Sequence, residues 1–133
     1  MKNFRDLQVW DKAHKLTLEA YKITQAFPRE ELYGLTSQIR RSNASIGANI
    51  AEGCGRRGNG DFHRFLQNAM GSASELEYHI LLAHDLGILP PPKFKDLNTN
   101  IVEVKRMLSA LIRKLMKSAR KTASDLFRST KNV

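Results

Sequence analysis

A single cysteine, Cys54, in 133 residues excludes an internal disulfide and any Cys-rich zinc site, which fits a reducing compartment. Four prolines and eight glycines are too few for a disordered chain. No apolar run approaches the roughly 18 residues of a membrane span, and the opening "MKNFRDLQVWDKAHK" carries Lys2, Arg5, Asp6 and Asp11 where a signal peptide would be apolar. One cytoplasmic domain over residues 1–121 is therefore expected, followed by a basic, frayed tail over 122–133.

Acidic residues are also scarce, and unevenly so. Residues 1–60 carry ten basic and six acidic groups, residues 61–90 one and four, and residues 91–133 eleven and three. Nearly all of the formal net charge of +9 thus sits in the last third. A basic surface of this kind suits polyanionic partners, RNA or DNA above all, with plain solubility as its bland cause.

Hydrophobic spacing predicts four helical segments and no strands. The first, residues 5–27, sets Leu7, Trp10, His14, Leu18 and Tyr21 on one stripe and is stopped by Pro28. The second runs from a cap at Thr36 to about Arg57. The third follows Asp61 and keeps Phe62, Phe65, Leu66, Ala69, Ala73, Leu76, Ile80 and Ala83 on one face up to Gly87. Pro90, Pro91 and Pro92 force a turn, and the fourth segment, residues 93–121, repeats Ile101, Val104, Leu108, Leu111 and Leu115. An all-α, antiparallel up-down-up-down four-helix bundle is the economical fold.

Gly53-Cys54-Gly55-Arg56-Arg57-Gly58 satisfies the letters of G-x-G-x-x-G. The dinucleotide mechanism needs a buried strand before those glycines. Here a helix precedes them, so they read as a helix end with Asn59 or Asp61 capping the next helix, and no cofactor is expected.

The second segment is unusual. Gln38, Ser42, Ser45, Asn49, Glu52 and Arg56 recur at steps of four and three, an arc of roughly 80°. Ala44, Gly47, Ala48 and Ala51 fill much of the remaining circumference, and Ser42 to Ala51 carries no charge. Such a face suits close approach by another helix, an oligomer interface. The third segment carries Arg64, Asn68, Ser72, Glu75 and His79 at similar steps. Ser45, Asn49, Glu52, Arg64, Ser72 and Glu75 form either a polar network between helices or a solvated face, with Arg56 or Arg64 balancing the carboxylates.

"FRDLQVWDKAHKL", "FPREELYGLTSQIRRSNASIGANIAEG" and "NAMGSASELEYHILLAHDLGIL" resemble the bacterial four-helix-bundle proteins first noticed as reading frames inside 23S rRNA intervening sequences. The resemblance spans residues 4–89. Ser45, Asn49, Glu52 and Gly53 match its "SIxANIAEG" signature, and Gly71, Ser72 and Glu75 match "GSxxE". It implies a cyclic homo-oligomer, typically a pentamer. It also implies a distant likeness to the accessory variability determinant of diversity-generating retroelements, a basic pentamer that engages a reverse transcriptase and nucleic acid. It transfers no catalytic residues.

Residue chemistry gives no enzyme either. A bundle di-iron site needs Glu and His three apart on paired helices, whereas Glu75 and His79 are four apart and Glu77 and His79 two. Neither a catalytic residue nor a metal is expected. The candidate nucleic-acid surface is Lys105, Arg106, Arg113, Lys114, Lys117, Arg120 and Lys121, with no acidic residue from 104 to 124, supplemented by Arg56 and Arg57. The expected function is non-enzymatic, electrostatic binding of structured RNA by a homo-oligomer, as accessory factor to a reverse transcriptase. The alternative is a protein-interaction scaffold without nucleic-acid binding.

Overall fold

Two glycines with positive φ and a run of prolines divide the helices of this chain. The computed structural model describes residues 3–131; the first two residues of the expected domain and the last two of the expected tail lie outside them. Four α-helices follow one another: α1 (Gln8–Thr24), α2 (Leu35–Cys54), α3 (Asn59–Asp85) and α4 (Pro91–Lys131), with single 3-10 turns at Phe4–Asp6 and Arg29–Glu31. Among the described residues there is no strand.

The helix ends differ from the sequence expectation in instructive ways. Gly34, not Thr36, precedes α2, and the Glu31 carboxylate accepts a hydrogen bond from the Leu35 amide at 3.1 Å. A capping acceptor supplied from the preceding turn leaves no signature within the helix itself. Gly58 turns the chain between α2 and α3 with φ +85°, a value glycine adopts without steric cost. α2 therefore ends at Cys54, and Asn59 and Asp61 lie in the first turn of α3 instead of capping it. At the end of α3, Gly87 has φ +77°, its amide donates to the His84 carbonyl and that of Ile88 to the Ala83 carbonyl, which is the Schellman arrangement. Pro91 and Pro92 then open α4, where the first-turn N–H groups they lack are not needed.

One apolar core runs through all four helices. Ile39, Ile46 and Ile50 of α2, Leu66, Leu76 and Ile80 of α3, and Ile101, Val104 and Leu108 of α4 are all at or below 1% exposed. α1 corrects the expected stripe. Leu18 and Tyr21 are 58% and 43% exposed and His14 is exposed, while Val9, Ala13, Leu16, Ala20 and Thr24 are buried. Two alanines let α1 lie close to its neighbours, so the inward face is the small one rather than the one with the bulkiest side chains. Asn43 joins α1 to α2: its Oδ1 accepts from Thr17 Oγ1 at 2.9 Å, and its Nδ2 donates to the Leu16 carbonyl at 3.3 Å. A buried amide whose oxygen and nitrogen are both engaged in this way fixes the register between helices.

α4 continues through the stretch expected to fray. Its last buried residue is Ile112, and residues 116–128 are exposed throughout. Beyond Ile112 the helix extends by roughly 28 Å at 1.5 Å per residue.

Candidate nucleic-acid interface

A cation that no carboxylate holds is the more readily available to a phosphate. The expected basic set divides on that criterion. Lys105 Nζ lies 2.9 Å from Glu77 Oε1 on α3. Arg106 hydrogen-bonds through Nε to Glu103 at 2.9 Å, and this contact raises the guanidinium pKa while holding the Glu103 carboxyl below the usual range. Arg56 pairs with Glu52 at 2.9 Å.

Arg113, Lys114, Lys117, Arg120 and Lys121 form no ion pair among the described residues, and all five are exposed. They occupy the part of α4 that begins where the core ends. Arg113, Lys117 and Arg120 follow at steps of four and three, so they share one face of the helix. Arg57, in the turn before α3, is likewise exposed and without an ion pair.

The polar residues of α2 and α3 separate into smaller groups than one network. Ser45 Oγ and Ser72 Oγ lie 2.9 Å apart, and Asn49 Nδ2 donates to the Ser45 carbonyl at 2.8 Å. Glu75 is balanced neither by Arg56 nor by Arg64 but by Arg41, whose Nη2 reaches Oε1 at 2.8 Å and which also holds Gln38. That hydrogen bond, foremost, keeps the Glu75 carboxyl below its ordinary range. Arg64 instead approaches Asp61 at 3.7 Å and lies over the Phe65 ring. Glu52 is exposed and meets Arg56 one turn along its own helix. Arg41 is legible in the sequence only as a charge; its reach to α3 depends on how the helices pack.

Of the small residues on α2, Ala44 and Ala48 are exposed, Ala51 is half-buried, and Gly47 is half-buried, with the Trp10 indole where a Cβ would come within 3.4 Å of Nε1. Gly47 therefore gives α1 room, and Ala44 and Ala48 face away from the core. Among the described residues no three His, Cys, Asp or Glu side chains converge on a metal-sized point, and no helix is long and apolar enough to cross a membrane.

Comparison with other proteins supplies a frame for these sites. Residues 5–110 match the family described as 23S rRNA-intervening sequence protein. A solved structure from Bacteroides thetaiotaomicron, described as a protein of unknown function from the S23 ribosomal protein family, superposes with a TM-score of 0.71 at 27% identity. The match covers 78% of this chain and 97% of that one. Among curated proteins none matches.

Proposed function

The chain belongs to the 23S rRNA-intervening sequence protein family, and we propose that it acts there as a non-enzymatic binder of structured RNA. The unpaired cations of the α4 overhang carry this reading. Residues 116–128 of this 41-residue helix are exposed, and a row of exposed cations that form no ion pair among the described residues suits phosphate. The family's name, which refers to an intervening sequence of 23S rRNA, agrees with an RNA partner.

In this reading the helices run antiparallel, up-down-up-down. The pairs Arg41 with Glu75, Ser45 with Ser72 and Gly53 with Phe62 support that order, because the α3 partner moves back along the chain as the α2 residue moves forward. The bundle assembles as a cyclic homo-oligomer, a pentamer by family resemblance, through the outward face of Ala44 and Ala48. A ring multiplies weak phosphate contacts by linking them. A cytoplasmic role as accessory factor to a reverse transcriptase follows from the same resemblance. A scaffold for an acidic protein partner is the second reading, favoured by the 59% and 44% exposure of Tyr78 and Leu81.

Fluorescence anisotropy with a labelled structured RNA at about 50 and 200 mM salt tests this. Binding should fall by about a thousandfold or more across that range if six or more phosphates are contacted around a ring. Replacing Arg113, Lys117, Arg120 and Lys121 together by glutamine should lower it by on the order of a thousandfold at the lower salt. No binding at the lower salt, with a protein partner retained at the higher, would support the scaffold instead.

A further inference from the structure

Where the α2–α3 turn meets the outer part of α4, a cavity of about 510 Å³ opens, within the roughly 300–1,000 Å³ span of small-molecule sites. Three cations reach it: Arg56 and Arg57 from the turn and Lys114 from α4. No Asp or Glu lines it. Arg56 is committed to Glu52 and lies 5.1 Å from the centre of the Phe65 ring. Arg57 and Lys114 have no ion-pair or hydrogen-bond partner among the described residues. Two uncompensated cations brought to one cavity repel each other, and an anion between them reverses the sign of that energy.

The floor is of opposite character. Phe62 of α3 and Leu111 and Leu115 of α4 line the cavity and are only half-buried. A bare anion would leave that apolar surface wet, and an apolar molecule would leave the cations unanswered. The wall next to Phe62 is held close by Gly53, where a Cβ would come within 2.9 Å of both Phe62 and Phe65.

We propose that this cavity binds a nucleotide, with its phosphate between Arg57 and Lys114 and its base against Phe62, Leu111 and Leu115. Arginine presents a planar fork that suits phosphate, and bases stack on aromatic faces without sequence preference. Asn59 also lines the cavity, and its side-chain amide has no partner among the described residues, so it can hydrogen-bond a base edge. The mechanism is not that of a dinucleotide fold, since α2 and not a strand leads into the glycines. The nucleotide can be free or the 5′-phosphorylated end of an RNA. The inference stands whether or not the outer face of α4 binds RNA.

Calorimetric titration of the full chain with adenosine 5′-monophosphate tests the proposal, with adenosine and inorganic phosphate titrated separately. The monophosphate should bind saturably, and each part alone should bind at least about tenfold more weakly. Arg57→Gln and Lys114→Gln, both at exposed positions, should keep the parent's thermal unfolding and each weaken the monophosphate by about tenfold. Absence of saturation at millimolar nucleotide, equal binding of inorganic phosphate and nucleotide, or unchanged affinity in both variants would overturn it. Short RNAs with 5′-phosphate or 5′-hydroxyl ends, competed against the monophosphate, identify the source: preference for the phosphorylated end assigns an RNA terminus, and no preference assigns the free nucleotide. Lys117→Gln with Arg120→Gln, outside the cavity, should weaken long RNA and leave monophosphate binding as in the parent, so loss of one reading does not entail loss of the other.

Discussion

Lys105 and Arg106 stand on the same helix as Arg113, Lys117 and Arg120, a few turns apart, yet the two groups have opposite surroundings. The first two belong to the part of α4 that packs in the bundle, and each is answered by a carboxylate, Glu77 or Glu103. The others lie past Ile112, the last buried residue, in a stretch that carries no acidic residue up to Asp125. Net charge is therefore a poor guide to where a polyanion binds. For these two groups, position relative to the end of the core separates cations held by carboxylates from cations without an ion pair among the described residues.

The sharpest way to break this comparison is to neutralise each group in turn. Removing Arg113, Lys117, Arg120 and Lys121 should lower RNA affinity at about 50 mM salt by on the order of a thousandfold across the ring, whereas Lys105→Gln with Arg106→Gln should change it by less than about tenfold. Anisotropy titrations measure both. Equal losses would mean that the ion pairs of the body open on binding and that the division between the two groups has no functional content.

Stability should divide along the same line. Leu108, fully buried, should cost about 2–5 kcal/mol as Leu108→Ala. Met116, 42% exposed one turn past the last core residue, should cost under about 0.5 kcal/mol as Met116→Ala. Urea midpoints decide between them. A large loss at Met116 would show that the overhang is covered in solution.

Glycine gives a third contrast. Gly53→Ala places a Cβ 2.9 Å from Phe62 and Phe65, both on the adjacent helix, and should destabilise by about 1–3 kcal/mol. Gly71 sits inside α3, exposed, and a Cβ added there would meet nothing within 4 Å, so Gly71→Ala should stabilise by about 0.5–1 kcal/mol. A loss of stability or of assembly at Gly71, read by thermal unfolding and light scattering, would point to a second copy closing on that face.

The fold is legible in the sequence where apolar residues are large and evenly spaced. Phe65, Leu66, Leu76 and Ile80 on α3 and Ile101, Val104 and Leu108 on α4 lie buried as their period implies. α1 departs from its period because Ala13 and Ala20, which weigh little in a hydrophobic pattern, are what close packing requires. The helix ends are displaced because Glu31 and Gly58 act from outside the helices they delimit. The cavity is invisible for a different reason. Its cations come from residues 56–57 and 114, which spacing along the chain cannot bring together, and the glycines beside Arg56 and Arg57 read as punctuation. Asn43, which no sequence pattern singles out, is a buried link between α1 and α2.

The smallest effect expected is electrostatic and concerns Arg41 and Glu75, which join α2 to α3. Arg41 holds the Glu75 carboxyl below the usual carboxylate range through its hydrogen bond, and then through its charge and that of His79, against the opposing cost of burial. A carboxyl depressed on folding contributes stability that is present above its unfolded pKa and is lost as pH falls through the folded value. Neutral solution thus carries the whole contribution, and acid removes it. The Glu75 side chain is 35% exposed and that of Arg41 56%, so solvent screening keeps the sum below about 1 kcal/mol. Arg41→Met should therefore lower the urea midpoint slightly at neutral pH, and the difference from the parent should shrink as pH drops through the carboxylate range. Glu103 offers the control: its carboxyl is depressed too, chiefly by its hydrogen bond to Arg106, and because that bond lies within α4, Arg106→Met should shift the midpoint less. A difference at Arg41 that stays constant with pH would assign its role to packing of the side-chain stem across α3 rather than to charge.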